Sequence, residues 1–132
     1  MRTKPALTAA DVQKIVAACK AEAAKNKWLV SIAVVDDAGY LLYLERMDGV
    51  GPLTAEIAAG KAETAALSRR PSKFWDDRVK ERPGFLKAPI STPMQGGVPI
   101  IVQGDCVGGV GASGVQSHED EQIANAGVAA VV

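Results

Sequence analysis

The sequence predicts an α+β domain: one antiparallel sheet with helices packed on it, in the order α-ββ-α-(α)-ββ-α. Two observations carry this. Short strand-like runs occur in two pairs, each pair folded about a short Asp/Gly turn, and the segments between and around them have helical periodicity with capping residues. Consecutive hairpins joined this way exclude a fully parallel sheet built from helical crossovers. At 132 residues and 13.7 kDa the chain is the size of one domain, with no repeat, low-complexity tract or linker.

The first helix opens at Thr8-Ala9-Ala10-Asp11, which has capping-box spacing. Val12, Ile15, Val16 and Cys19 then recur on one apolar face, and the helix runs to about Lys25. The run from Leu29 to Val35 is too short for a free-standing helix and ends at Asp36-Asp37-Ala38-Gly39. A second strand follows from Tyr40 to Met47, completing a hairpin because Asp and Gly tolerate the positive φ of a tight turn. Pro52 to about Ser68 is alanine-rich and helical, and Arg69-Arg70-Pro71 ends it. Ser72 to Glu81 forms a short helix carrying Phe74, Trp75 and Val79, and Arg82 to Gly97 is an irregular crossover. Val98 to Val102 and Cys106 to Ala112 pair about Gly104-Asp105, with Pro99 placing its strand at a sheet edge. Ser117-His118-Glu119-Asp120 caps a last helix bearing Ile123, Ala124, Gly127, Val128 and Val131.

Composition narrows the function classes. Fifteen basic residues balance fifteen acidic ones, and no run of Lys/Arg marks a nucleic-acid or anionic-lipid surface. No apolar stretch reaches the roughly 20 residues that cross a bilayer, and the N-terminus lacks a signal-peptide core. Two distant cysteines, Cys19 and Cys106, supply neither a disulfide scaffold nor a thiolate zinc site and suit a reducing cytoplasm. Aromatics are scarce at 5%. A core of small side chains in so small a domain calls for further stabilisation by association, so a homo-oligomer is expected.

Gly109-Val110-Gly111-Ala112-Ser113-Gly114 matches G-x-G-x-x-G between a strand and a helix. The rest of a dinucleotide fingerprint is missing: no parallel strand follows, and the last eleven residues hold no acid. The glycines therefore read as a strand on which the last helix or another subunit packs closely, while the amides of Val115 to Glu119 stay available for an anion. His118 is the only histidine. It is a candidate acid/base or haem ligand, although the neighbouring acids are those expected in a helix's first turn. A metal site is not expected, because these residues do not converge on one point. Arg46 can fork onto a carboxylate or pair with Glu45 or Asp48. Glu56, Gly60 and Lys61 lie one turn apart on the second helix. Glu56 and Lys61 can form a buried acid–base pair or a solvated face, and Gly60 signals close approach of a ligand or backbone. Trp75, Phe85 and the Met94 region can wall a pocket for a flat ligand or simply pack. No nucleophile elbow, P-loop or His-Glu-x-x-His motif is present.

Ala33-Val34-Val35-Asp36 with Gly39, Arg46-Met47-Asp48-Gly49, Gly60-Lys61-Ala62 with Thr64-Ala65, Gly96-Gly97-Val98-Pro99-Ile100, and the glycine-rich strand followed by Asp120-Glu121 together resemble the GlcG/HbpS-like family, which also includes the PduO C-terminal domain. The likeness runs from about Leu7 to Val132. It implies an antiparallel sheet of about five strands flanked by helices, and assembly as dimers or higher oligomers. It also implies binding of haem or another planar, anionic ligand in a cleft near the second helix and the Gly96-Gly97 turn, in a catabolic or haem-handling setting and with no cofactor required. Arg46, Gly60, Trp75, Phe85, Gly96, Gly97 and Ser113 are the ligand-binding candidates. Met47, Met94 and the tyrosines join His118 as possible iron ligands. Two alternatives stand beside this: a cofactor-independent lyase or isomerase of a small, for instance hydroxylamino-aromatic, acid, with Glu56, Lys61 and His118 as its catalytic groups; or an oligomeric scaffold.

Overall fold

A computed structural model describes residues 1–132. Its elements are α1 (Ala9–Asn26), β1 (Ser31–Asp36), β2 (Leu41–Arg46), α2 (Leu53–Ser68), α3 (Ser72–Glu81), a 3-10 turn (Pro83–Lys87), β3 (Gly97–Val102), β4 (Asp105–Ser113) and α4 (Ser117–Ala129). The element order is the expected one. The sheet has four strands rather than about five, in the order β2-β1-β4-β3, with every pairing antiparallel. Each hairpin supplies one edge and one central strand, and β1 against β4 joins them.

Thr8 caps α1 as its spacing predicts: its hydroxyl accepts from the Asp11 amide, and the Asp11 carboxylate accepts from the Thr8 amide at 2.8 Å. Such a cap contributes about 1 kcal/mol. Lys27 ends the helix in the left-handed conformation. Gln103 and Gly104, both at positive φ, make the tight turn between β3 and β4. Pro99 lies on edge strand β3, as anticipated.

Period-2 alternation sends the two sheet faces to different helices. Ile32, Val34, Val98, Ile100, Val110 and Ala112 join Val12, Ile15, Val16, Cys19, Ile123 and Ala124 in the larger core, against α1 and α4. Ala33 and Val35 face α2 through Ala58, Ala62 and Ala66. On that second face the glycines explain themselves. A Cβ on Gly97 would stand 2.1 Å from the Lys61 carbonyl oxygen, one on Gly109 2.5 Å from that of Ala62, and one on Gly111 2.2 Å from that of Ala58. Backbone rests on backbone, so the glycine-rich strand is a bed for α2 rather than for the last helix or another subunit. Cys19 and Cys106 are free and buried, and burial pushes the Cys19 thiol up to about 12.

Candidate functional site

Lys61 is the most deeply placed charge. It sits on α2 between Ala58, Ala62 and Ala65, all fully buried, and its own side chain is 2% exposed. Its ammonium donates to the Ala112 carbonyl and to Asp120 Oδ2, each at 3.0 Å. Asp120 accepts a further bond from the Val115 amide at 3.1 Å. Desolvation raises the Asp120 carboxyl above its ordinary range, against the opposing pull of Lys61. The acid–base pair is therefore Lys61 with Asp120; Glu56 is exposed on the outer face of α2. Gly96 and Gly97 close over this lysine, and a Cβ on Gly96 would stand 2.7 Å from its Nζ. Ser113 is buried and paired with Ser31 across the central strands.

Gly60 gives the segment from Ala88 to Gly96 its close approach to α2. A Cβ there would meet Thr92 Oγ1 at 2.0 Å, and the Thr92 amide donates to Thr64 Oγ1 at 2.9 Å. Gly60 thus admits the Thr92 and Ser91 side chains of this chain's own segment. The segment is further held by Ser72, which donates to the Met94 carbonyl at 2.6 Å and accepts from the Gly97 amide at 2.8 Å, and by the Gln95 amide on Asp76.

Beside these contacts the segment leaves a cleft of about 360 Å³, lined by Thr64, Leu67 and Ser68 of α2 and by Pro89, Ile90 and Ser91 opposite. This lies in the range of small-molecule sites, about 300 Å³ upward. Two other hollows, both about 170 Å³, flank the N-terminal segment at Leu7. The larger cleft has apolar walls and hydroxyls but no carboxylate, amine, imidazole, thioether or phenol.

The remaining candidates are dispersed. Arg46, Glu56 and His118 are exposed and line no cavity. Trp75 and Phe85 pack edge-on with ring centroids 5.6 Å apart and likewise line none; Trp75 also meets Phe74 at 5.0 Å. The expected flat-ligand wall is a self-packed cluster on α3 and the 3-10 turn. Of the amides considered for an anion, Val115 donates to Asp120 and Gln116 to Glu119, and the cap falls at Gln116 rather than Ser117. Met47 packs against the α1/α4 core, while Met94 and Tyr40 are exposed. Tyr43 bonds Glu45, which pushes its phenol up to about 12. No cluster of three or more His, Cys, Asp or Glu is poised for a metal ion. No helix is long and apolar enough to cross a membrane.

Sequence reasoning missed Asp120 as the partner of Lys61, and it missed the cleft walls. A signal existed for the first: Asp120 shares its helical face with Ile123, Ala124 and Gly127, all buried. The cleft had none, because Pro89-Ile90-Ser91 belongs to an aperiodic segment.

The four-stranded antiparallel sheet between α2 and the α1/α4 pair, with one cleft of ligand size beside α2, defines a small α+β domain of the single-sheet, helix-covered kind. Residues 7–129 match the family described as haem degrading protein HbpS-like, and the chain belongs to that family. It is 47% identical over 114 residues to Protein GlcG of Escherichia coli, covering 86% of this chain and 85% of that one. A crystal structure of an HbpS double mutant from Streptomyces reticuli superposes with a TM-score of 0.91 at 33% identity, covering 100% of this chain and 91% of that one. The crystal structure titled PduOC:Heme complex, at 24% identity and TM-score 0.87 over 96% of both chains, shares the fold.

Proposed function

We propose that this protein binds haem or another planar, anionic ligand, in a catabolic or haem-handling setting, with one edge of the ring system inserted between α2 and Pro89-Ile90-Ser91. The observation that carries this is the cleft: it alone has the volume of a ligand site, its walls are apolar at Leu67, Pro89 and Ile90, and its outer wall is pinned to α2 through Thr92 and Thr64. Membership of a family described as haem degrading, and likeness to HbpS, support the choice of a tetrapyrrole.

The cleft residues fit a conjugated ring and do not fit ligation of its iron. Iron in haem proteins is held by His, Cys, Met or Tyr, and the cleft presents only the hydroxyls of Thr64, Ser68 and Ser91. All three are engaged: Thr64 accepts from the Thr92 amide, Ser68 donates to the Thr64 carbonyl, and Ser91 bonds the Thr92 hydroxyl at 3.3 Å. Affinity on this reading comes from the ring and its substituents. Metal-free protoporphyrin IX is therefore expected to bind about as tightly as haemin in absorbance titrations. Leu67→Glu and Ile90→Glu, which place a charge against the ring, are expected to weaken both by roughly tenfold or more. No saturable binding of either tetrapyrrole, or full affinity in both variants, would overturn the assignment. The lyase reading finds no comparable support, since Glu56 and His118 face solvent and Lys61 is held by Asp120.

Association belongs to the same proposal. β2 is an edge strand with Leu41, Leu42 and Leu44 all at least 40% exposed beside Tyr40, and it carries no lysine or proline to discourage pairing. A second copy on this edge would cover the leucines. Light scattering is expected to give the mass of a dimer or larger species, and Leu42→Lys/Leu44→Lys that of a monomer with unchanged circular dichroism. A monomeric parent protein would refute it.

A further inference from the structure

Four of the chain's six aromatic side chains lie away from both cores. Both phenylalanines and one of the two tryptophans lie within residues 72–95, where Ser72 is the only buried residue. The same region concentrates positive charge. From Arg69 to Lys87 there are seven cations and three carboxylates, in a chain whose formal net charge is zero. Three of the cations are paired locally: Lys73 with Asp77, Arg78 with Glu81, and Lys80 with Asp76. Arg69 acts on Asp37 of the first hairpin. Arg70, Arg82 and Lys87 have no carboxylate in ion-pair reach.

Two of these unpaired cations are held in place by rings. The Arg70 guanidinium carbon lies 4.3 Å from the Phe74 ring centroid, and that of Arg82 5.0 Å from Phe85. Stacking fixes the plane of a guanidinium while leaving its N–H edge free for a carboxylate. Chain geometry then places the cations relative to the cleft. Arg70 follows the cleft residue Ser68 by two positions, and Lys87 precedes the cleft residue Pro89 by two. Cα atoms two residues apart are at most about 7.6 Å from each other. One long cationic side chain therefore springs from the end of each cleft wall.

We infer that Arg70 and Lys87 form a two-point carboxylate clamp at the mouth of the cleft, and that the ligand is a planar ring system carrying at least two carboxylates. This rests on the cleft seating such a ring. It adds which part of the ligand is recognised and by which side chains. Phe74 is the positioning residue that holds the Arg70 fork, and the rest of the basic segment supplies attraction at longer range.

Metal-free protoporphyrin IX, a dicarboxylic acid, and its uncharged dimethyl ester test the clamp on the intact chain. The acid is expected to bind about tenfold more tightly than the ester, with the advantage shrinking as salt is added. Arg70→Gln and Lys87→Gln are each expected to weaken the acid several-fold. The double variant should bind acid and ester nearly alike, keeping only the weak salt dependence that the rest of the basic segment supplies. Lys14→Gln, an exposed charge on α1, serves as the control and should leave both affinities unchanged. The exposed positions make misfolding readily checked by circular dichroism and the thermal midpoint. Equal affinity of the parent protein for acid and ester, or clamp variants no weaker than Lys14→Gln, would overturn the clamp while leaving the ring-binding cleft intact. Failure of both porphyrins to bind would overturn the cleft reading and the clamp with it.

Discussion

Gly111→Ala is expected to destabilise the protein by about 3 kcal/mol or more, at the upper end of what overpacking does. The added methyl would stand 2.2 Å from the Ala58 carbonyl oxygen and 2.7 Å from the Ala62 amide nitrogen. Both obstacles are backbone, so no rotamer change relieves the clash. Either α2 lifts from the sheet, which opens the Ala33, Val35, Ala58, Ala62 and Ala66 cluster, or β4 shifts and disturbs its pairing with β1. Gly111 has no positive φ, so the whole effect is steric. Gly84→Ala is the matched control, because nothing lies within 4 Å of its new methyl. It is expected to be neutral or slightly stabilising through the unfolded chain. Urea unfolding with both variants checks this, and a Gly111→Ala loss below about 1 kcal/mol would show that α2 yields easily.

Lys61→Met is expected to lower stability by about 3–5 kcal/mol, because it strands the Asp120 carboxylate in a site where that side chain is 3% exposed. Lys61→Met/Asp120→Leu should regain part of the loss, since both partners become apolar and only the Ala112 carbonyl and the Val115 amide lose a hydrogen-bond partner. The loss also depends on pH, with a definite sign. Desolvation already raises Asp120 in the folded protein, and removing Lys61 removes the largest influence that lowers it. Between the unfolded and folded values of a raised carboxyl the folded state binds more protons, so stability falls as pH rises through that window. Below the ordinary carboxylate range Asp120 is neutral in both states. The variant should therefore lie closer to the parent protein near pH 4 than near pH 8. A pH-independent difference would mean that Asp120 stays ionised and solvated without its partner.

The fold was legible because its signals are local. Thr8 and Asp11 mark a helix start, Asp36 to Gly39 and Gly104 mark hairpins, and the short β-branched run from Leu29 to Val35 marks a strand. The site was legible in its inner part only. Gly60, Lys61, Gly96 and Gly97 do gather about α2, but as packing against the lysine and the overlying segment, not as an open pocket. Arg46, Glu56 and His118 carry suitable chemistry at positions that tertiary structure leaves in solvent. The cleft arises where an aperiodic stretch crosses a helix, and no periodicity encodes such a crossing. The strand count followed the family resemblance to about five, whereas the residues themselves mark four.

The strand order has a consequence during synthesis. β1 pairs with β4, residues 31–36 against 108–113, so the sheet's middle joins segments more than 70 positions apart. A ribosome must release the chain beyond residue 113 before that ladder closes, and until then the inner edge of β1 has no mate. Non-local closure of this kind slows acquisition of the native state and leaves a nascent hairpin open to unwanted pairing. The alanine-rich α2, intrinsically helical and made between the two halves, is available to shield one face of that hairpin while the other half is still being translated.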